Sequence, residues 1–208
     1  MTPILWSFRR CPYAMRARLA LASAAVRVEL REVVLRDKPP AFLETSPSAT
    51  VPCLDGPDGV NDESLDIMLW ALRRHDPESL LEMPEEGFDL IDICDRPFKA
   101  ALDRYKYASR FDDADPGVER SRAGDFIAGL NSRLADRPWL FGDRPRLADL
   151  AILPFVRQFA HVDLAWFTAQ PWPDATRWLE AFKTSARFRG IMQKHPPWHP
   201  GDSPVQFP

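Results

Sequence analysis

The chain is poor in glycine, with 9 in 208 residues, and in cysteine, with 3. No two glycines stand as Gly-x-Gly and none precedes a lysine, so neither the dinucleotide fingerprint nor the phosphate-cradling P-loop is present. That excludes NAD, FAD and ATP sites of those kinds. The cysteines, Cys11, Cys53 and Cys94, are odd in number and widely spaced, which excludes a disulfide framework and leaves thiol chemistry or burial. No apolar run reaches the ~18 residues of a membrane span, and residues 1–8 carry no basic region followed by an apolar core. The expectation is a cytoplasmic protein without a membrane partner. A general excess of basic residues is also lacking: the net charge is -3, which argues against a nucleic-acid partner, since neutralising phosphates takes clustered Lys and Arg.

What remains is ordinary globular composition, 45% hydrophobic and 27% charged, enough for one large domain or two small ones. Proline is abundant, at 21. The charge is uneven. Arg9, Arg10, Arg16, Arg18 and Arg27 stand in residues 1–28 without a carboxylate, so this end can attract a small anion.

Residues 3–8 read as a strand, and Pro12 opens an alanine-rich helix at a position where its missing amide proton costs nothing. Alternation over 28–35 predicts a second strand, 50–54 a third, and the turn residues of 55–59 a hairpin. Glu63-Ser64 precedes apolar residues at helical spacing. Residues 1–75 therefore read β-α-β-α-β-β-α. An acidic, proline-bearing stretch at 76–87 reads as a linker. Beyond it, 88–111, 117–136, 147–160 and 174–193 carry a period near 3.6, while five prolines in 195–208 forbid a helix. The expected organisation is an α/β domain at 1–76 and an all-α domain at 86–208.

Cys11 falls between a predicted strand and a helix starting at Pro12, where unpaired amides and the helix dipole favour a thiolate. The nearby arginines act in the same direction. A fall in its pKa from about 8.5 to about 6 would raise the thiolate fraction at pH 7 from roughly 3% to about 90%. Burial as a small apolar residue is the alternative. Ala14 stands where a second cysteine would complete Cys-x-x-Cys, so a redox cycle must borrow an external thiol such as glutathione.

The run Ser7-Phe8-Arg9-Arg10-Cys11-Pro12-Tyr13-Ala14-Met15-Arg16 resembles the glutaredoxin-like entry of cysteine-containing glutathione transferases of omega or beta type, a bacterial-type member. Later motifs agree in order: Val51-Pro52 resembles the family's turn with a cis proline, Glu63-Ser64 its acidic-plus-hydroxyl pair, and Ala148-Asp149-Leu150 with Pro154 the start of a C-domain helix. The resemblance implies a thioredoxin-like α/β domain followed by an all-helical one, with glutathione as co-substrate and neither metal nor nucleotide. It also implies a homodimer, and a second substrate, a small molecule or a protein thiol, in the cleft between the domains. Glu63 and Ser64 would take the γ-glutamyl end, Val51 before Pro52 the cysteinyl backbone, and Lys38 the glycyl carboxylate. Tyr107, on the first long helix of the second half, would line the electrophile pocket.

Three departures stand out. Arg146 replaces the Ser or Thr that usually caps the helix carrying Asp149, which leaves at most half of a capping box. Cys53 follows the cis proline where an aliphatic is commoner, and reads as a small buried residue or, less simply, a redox partner for Cys11. Ser48-Ala49 stand where the family has a glycine. His195 and His199 are four apart, but the prolines around them forbid the helix that would turn that spacing into a metal site. His75 and His161 read as helix-end or surface residues. The resemblance thus implies thiol transfer, with Cys11 attacking a glutathione mixed disulfide. The alternatives are conjugation, with Cys11 or Ser7 donating a hydrogen bond to the glutathione sulfur, and a non-catalytic regulatory protein on the same fold.

Overall fold

A computed structural model describes residues 2–208, and two compact units emerge: residues up to 79 together with 184–208, and residues 80–183. The chain opens with β1 (Ile4–Ser7), α1 (Pro12–Ser23), β2 (Val28–Glu32), α2 (Pro40–Thr45), β3 (Cys53–Gly56), β4 (Gly59–Asn61) and α3 (Ser64–Arg74), the order read from the sequence. The second unit holds α4 (Glu86–Ile93), α5 (Lys99–Lys106), α6 (Pro116–Arg133), α7 (Leu147–Ala160), α8 (Leu164–Thr168) and α9 (Pro173–Lys183). The chain then returns to the first unit through α10 (Ala186–Ile191) and β5 (Gln206–Phe207).

The five strands form one sheet in the order β4-β3-β1-β2-β5. β1 runs parallel to β2, with Leu5 opposite Leu30, and antiparallel to β3, with Leu5 opposite Leu54. Gly59 closes the β3–β4 hairpin at φ +103°, a backbone conformation open to glycine. Because α1 carries Ala14, Ala17 and Ala20 on buried positions, it packs closely against α3 and α10. A cluster of Trp6, Val33, Phe42, Val51 and Cys53 fills the other part of this core, with Phe8, Cys11 and Trp198 packed against it.

The tail departs from expectation. Residues 184–208, assigned from the sequence to the helical domain, fold with the α/β unit. Edge strand β2 offers unpaired backbone groups, and the tail takes them: Leu30 N–H donates to Val205 O at 2.8 Å, and Trp198 N–H to Glu32 O at 2.9 Å. Trp198 also sets its ring edge-on against Trp6, centroids 5.0 Å apart. Prolines cannot donate, so only two tail residues form a true strand.

Local chemistry explains the other differences. The helix expected over 88–111 is interrupted where Pro97 sits in a π-helical turn, Cys94–Phe98, between α4 and α5. The one expected over 174–193 splits because Ser185 Oγ accepts from Phe188 N–H at 3.0 Å and starts α10 afresh. The short α8, capped by Asp163 accepting from Trp166 N–H at 2.9 Å, escapes a periodicity reading at five residues. The rings of Phe98, Phe159, Phe167 and Trp172 are buried in the helical unit, and the half-buried Phe126 and Trp166 stack against them. Among the described residues no helix is long and apolar enough to cross a membrane, and no cluster of His, Cys, Asp and Glu is arranged to hold a metal.

Candidate active site

Cys11 is the residue on which the chain turns from β1 into α1. Its N–H donates to Phe8 O at 3.0 Å, closing a turn, and its carbonyl accepts the first helical bond from Met15 N–H at 2.9 Å. Pro12 occupies the first helical position and fixes the entry. The thiol is half-buried at the helix N-terminus, and Sγ donates to Val51 O at 3.6 Å. Two distant segments of the sequence, at 11 and 51, thus share one site.

The arginines near Cys11, taken as a group in the sequence, have separate positions here. Arg18 lies two helical turns on and is buried, its Nη1 donating to Ser7 Oγ at 2.6 Å and its Nη2 to Arg9 O at 2.7 Å. Burial lowers its pKa to about 10, against the opposing charges of Glu32 and Cys11, so it stays cationic at neutral pH within electrostatic reach of the thiol. Ser7 is fully buried with its oxygen accepting from Arg18, which removes it from the residues that could serve a bound sulfur. Arg16, also fully buried, donates from Nη1 to Ser64 Oγ at 3.4 Å.

That contact ties α1 to the start of α3. Glu63 is the N-cap of α3, exposed, and its carboxylate makes no capping hydrogen bond; Ser64 is the first helical residue and buried. The free N-terminal amides of an 11-residue helix, the Ser64 hydroxyl and the buried Arg16 charge behind it make this end suited to a carboxylate, with Glu63 beside it suited to an ammonium.

The Val51–Pro52 peptide is cis. The loop leading to it is held from two sides: Lys38 Nζ donates to Ala49 O at 3.0 Å, and Asp62 Oδ2 accepts from Ser48 N–H at 2.9 Å. Asp62 is pulled below the usual carboxylate range chiefly by its hydrogen bond with the Ser48 side chain. Nothing in the sequence pattern signalled this Ser48–Asp62 bond, since the two residues lie on different segments. Ala49 sits at φ +52°, in the left-handed region, at one of the two positions where the resemblance led us to expect glycine. Ala49→Gly should therefore leave the protein as stable or raise its stability by up to about 1 kcal/mol, against the usual cost of introducing glycine; thermal unfolding checks this, and a clear loss would show that the loop carries no strain there.

Cys53 is fully buried, and burial pushes its thiol up to about 11, so it stays protonated at neutral pH. Cys94 is buried in the helical unit. Tyr107 ends α5 with its ring 4.4 Å from the Arg110 guanidinium carbon. A cavity of about 500 Å³ in the same unit is lined by Pro97, Phe98 and Phe126, among others. An arginine has no acceptor, so the box at α7 has only its carboxylate half: Asp149 Oδ2 accepts from Arg146 N–H at 2.8 Å. Asp149 Oδ1 accepts from Leu140 N–H at 3.0 Å and Trp178 Nε1–H at 2.9 Å. The missing hydroxyl is thus offset by donors that the sequence did not reveal.

Comparison with known proteins agrees with this architecture. Residues 5–79 match the model of the glutathione S-transferase N-terminal domain, and 99–181 that of the C-terminal domain. The mouse protein glutathione S-transferase omega-1 is 34% identical over 194 residues, 86% of this chain and 75% of that protein. A probable cytosolic glutathione S-transferase of rice, DHAR1, is 25% identical over 69% of this chain. The chain spans 64% of that rice protein and 50% of elongation factor 1-gamma 3, another rice protein it matches. Among solved structures, a glutathione transferase family member from Pseudomonas fluorescens Pf-5, with two glutathione bound, superposes with a TM-score of 0.78 at 18% identity, covering 92% of each chain.

Proposed function

Because this chain belongs to the glutathione S-transferase family in its N- and C-terminal domains alike, we propose that it is a glutathione-dependent thiol transferase with Cys11 as nucleophile. The observation that carries this reading is the place of Cys11: a thiol at the start of α1, its Sγ 3.6 Å from the carbonyl of Val51 beside the cis peptide, with the Arg18 cation in reach. The similarity to an omega-type transferase supports it.

In the first step the Cys11 thiolate attacks the glutathione sulfur of a mixed disulfide. Its S–S bond breaks, and the substrate thiolate leaves and takes a proton from water. In the second, the thiolate of another glutathione attacks the Cys11–glutathione disulfide, releasing oxidised glutathione and restoring the Cys11 thiolate. One disulfide is consumed and one formed, so no outside oxidant is needed. Arg18 and the α1 amides stabilise the anion at both ends of the cycle. Glutathione lies with its γ-glutamyl carboxylate on the α3 amides and Ser64, its amine on Glu63, its cysteinyl backbone along Val51, and its glycyl carboxylate toward Lys38.

Conjugation remains the second reading, since Cys11 Sγ–H donates a hydrogen bond here and could donate one to a bound sulfur instead. Assaying glutathione-dependent reduction of 2-hydroxyethyl disulfide beside conjugation of chlorodinitrobenzene separates the two. Reduction without conjugation supports thiol transfer, and the reverse overturns it. The γ-glutamyl assignment has its own test. Glu63→Ala should weaken glutathione binding by about 1.5–3 kcal/mol, roughly ten- to a hundred-fold, because the ammonium loses its charged partner. Calorimetric titration reads this directly, and unchanged affinity would move the amine elsewhere.

A further inference from the structure

Beside the loop that carries Cys11, the first unit encloses a cleft of about 560 Å³, within the range of small-molecule sites. Three segments build it: the β1–α1 loop, the stretch following β2, and the proline-rich tail. Phe8, Val33, Leu35 and Pro197 give it an apolar lining, and Leu35 is 44% exposed there. Arg9, Arg10, Arg36 and Lys194 supply four cations. Among the described residues none of these four has an ion-pair partner, whereas elsewhere in the same unit Arg31 pairs with Glu29, Arg74 with Asp58 and Arg187 with Glu78.

The remaining titratable groups of the cleft do not cancel this charge. Glu32 is the one carboxylate lining it, and Oε1 already accepts from Arg9 N–H at 2.7 Å. Burial pushes its pKa up against the Arg9 hydrogen bond and the Arg18 and Arg9 charges, so one carboxylate faces four cations, and burial followed by the Arg18 charge pushes the pKa of His195 down. The tail wall is fixed in advance by the Trp198 N–H to Glu32 O bond and by the Trp198 ring, 4.5 Å from the Arg31 guanidinium carbon. A cleft with apolar walls and unpaired cations, built before any ligand arrives, suits an anion carrying an apolar body.

We propose that this cleft holds the group that the mixed disulfide joins to glutathione, an organic anion in which one or two carboxylates and the reacting sulfur are carried on a compact aryl or alkyl body. Arg9 and Arg10 immediately precede Cys11, and Phe8 and Cys11 pack against the same core cluster, so the bound body lies next to the thiol. The assignment of Cys11 as the reacting centre rests on the thiol-transfer reading, but binding of the anion does not. A polyanion is the wrong shape for it: the space is a bounded cleft on a chain whose net charge is -3.

Calorimetry with 2-naphthoate and its uncharged counterpart 2-naphthamide tests this. The parent should bind naphthoate at least about ten-fold more tightly than the amide. Arg36→Ala with Lys194→Ala should remove most of that preference, and Arg27→Ala with Arg144→Ala, which removes the same charge outside the cleft, should keep it. All four residues are exposed, and an unchanged melting temperature confirms folding. Equal affinity for acid and amide in the parent, a preference surviving Arg36→Ala with Lys194→Ala, or an equal loss in both double variants would overturn the proposal. Naphthoate binding retained in Cys11→Ser keeps this result separate from the catalytic one. An inactive parent that still prefers naphthoate counts against thiol transfer only.

Discussion

Cys11→Ser should bring glutathione-dependent reduction of 2-hydroxyethyl disulfide down to background, a loss on the order of 10³-fold or more, the scale on which removal of a covalent nucleophile is felt. A serine hydroxyl is not ionised near neutral pH, and neither the start of α1 nor Arg18 can make it so. Cys53 cannot replace it, because burial holds that thiol near 11 and the residue is fully enclosed. Glutathione affinity should change little, since the residues proposed to hold it, Glu63, Ser64, Lys38 and the Val51 backbone, remain. If Cys11 instead only orients the glutathione sulfur, the serine hydroxyl donates the same hydrogen bond and conjugation of chlorodinitrobenzene survives or improves. Surviving reductase activity in Cys11→Ser would remove the nucleophile assignment.

Asp149→Ala should be the most damaging change to stability, at about 3–5 kcal/mol, which for a chain of this size corresponds to roughly 10 °C in melting temperature. The carboxylate satisfies Leu140 N–H, Arg146 N–H and Trp178 Nε1–H together, and truncation leaves all three without an acceptor in a buried place. Burial raises the Asp149 pKa to about 6, the three donors acting against it. A folded value above the ordinary 3.8 means that this group's contribution is fully present below about pH 4 and is lost as pH rises through about 6. Asp149→Asn should flatten that part of the stability profile. Chemical unfolding across pH 4–8 measures both effects, and a loss below about 1 kcal/mol for the alanine variant would mean that the three donors find other partners.

The α/β unit was legible because its signals are local. Pro12 after Cys11 marks a helix start, alternation marks β2, and Gly59 with Asp58 marks the hairpin turn. The tail was illegible for the opposite reason: proline content says only what 195–208 cannot form, while its docking depends on the unpaired edge of β2 and on Trp6, both far away in sequence. The same limit applied at the site. Cys11 and the Val-Pro turn were visible as motifs, but the division of labour among the arginines follows from burial: Arg16 to Ser64, Arg18 to Ser7 and Arg9, and Arg9 and Arg10 to the cleft. Ser7 shows the cost of reading type without depth, since a hydroxyl four residues before the thiol looked available and is enclosed.

The most direct test of Cys11 as nucleophile is the intact mass of the protein after incubation with oxidised glutathione, followed by peptide mapping. One glutathionyl group should appear, it should map to Cys11, it should be absent from Cys11→Ser, and reduced glutathione should release it. Absence of an adduct, or an adduct confined to Cys53 or Cys94, would contradict the account.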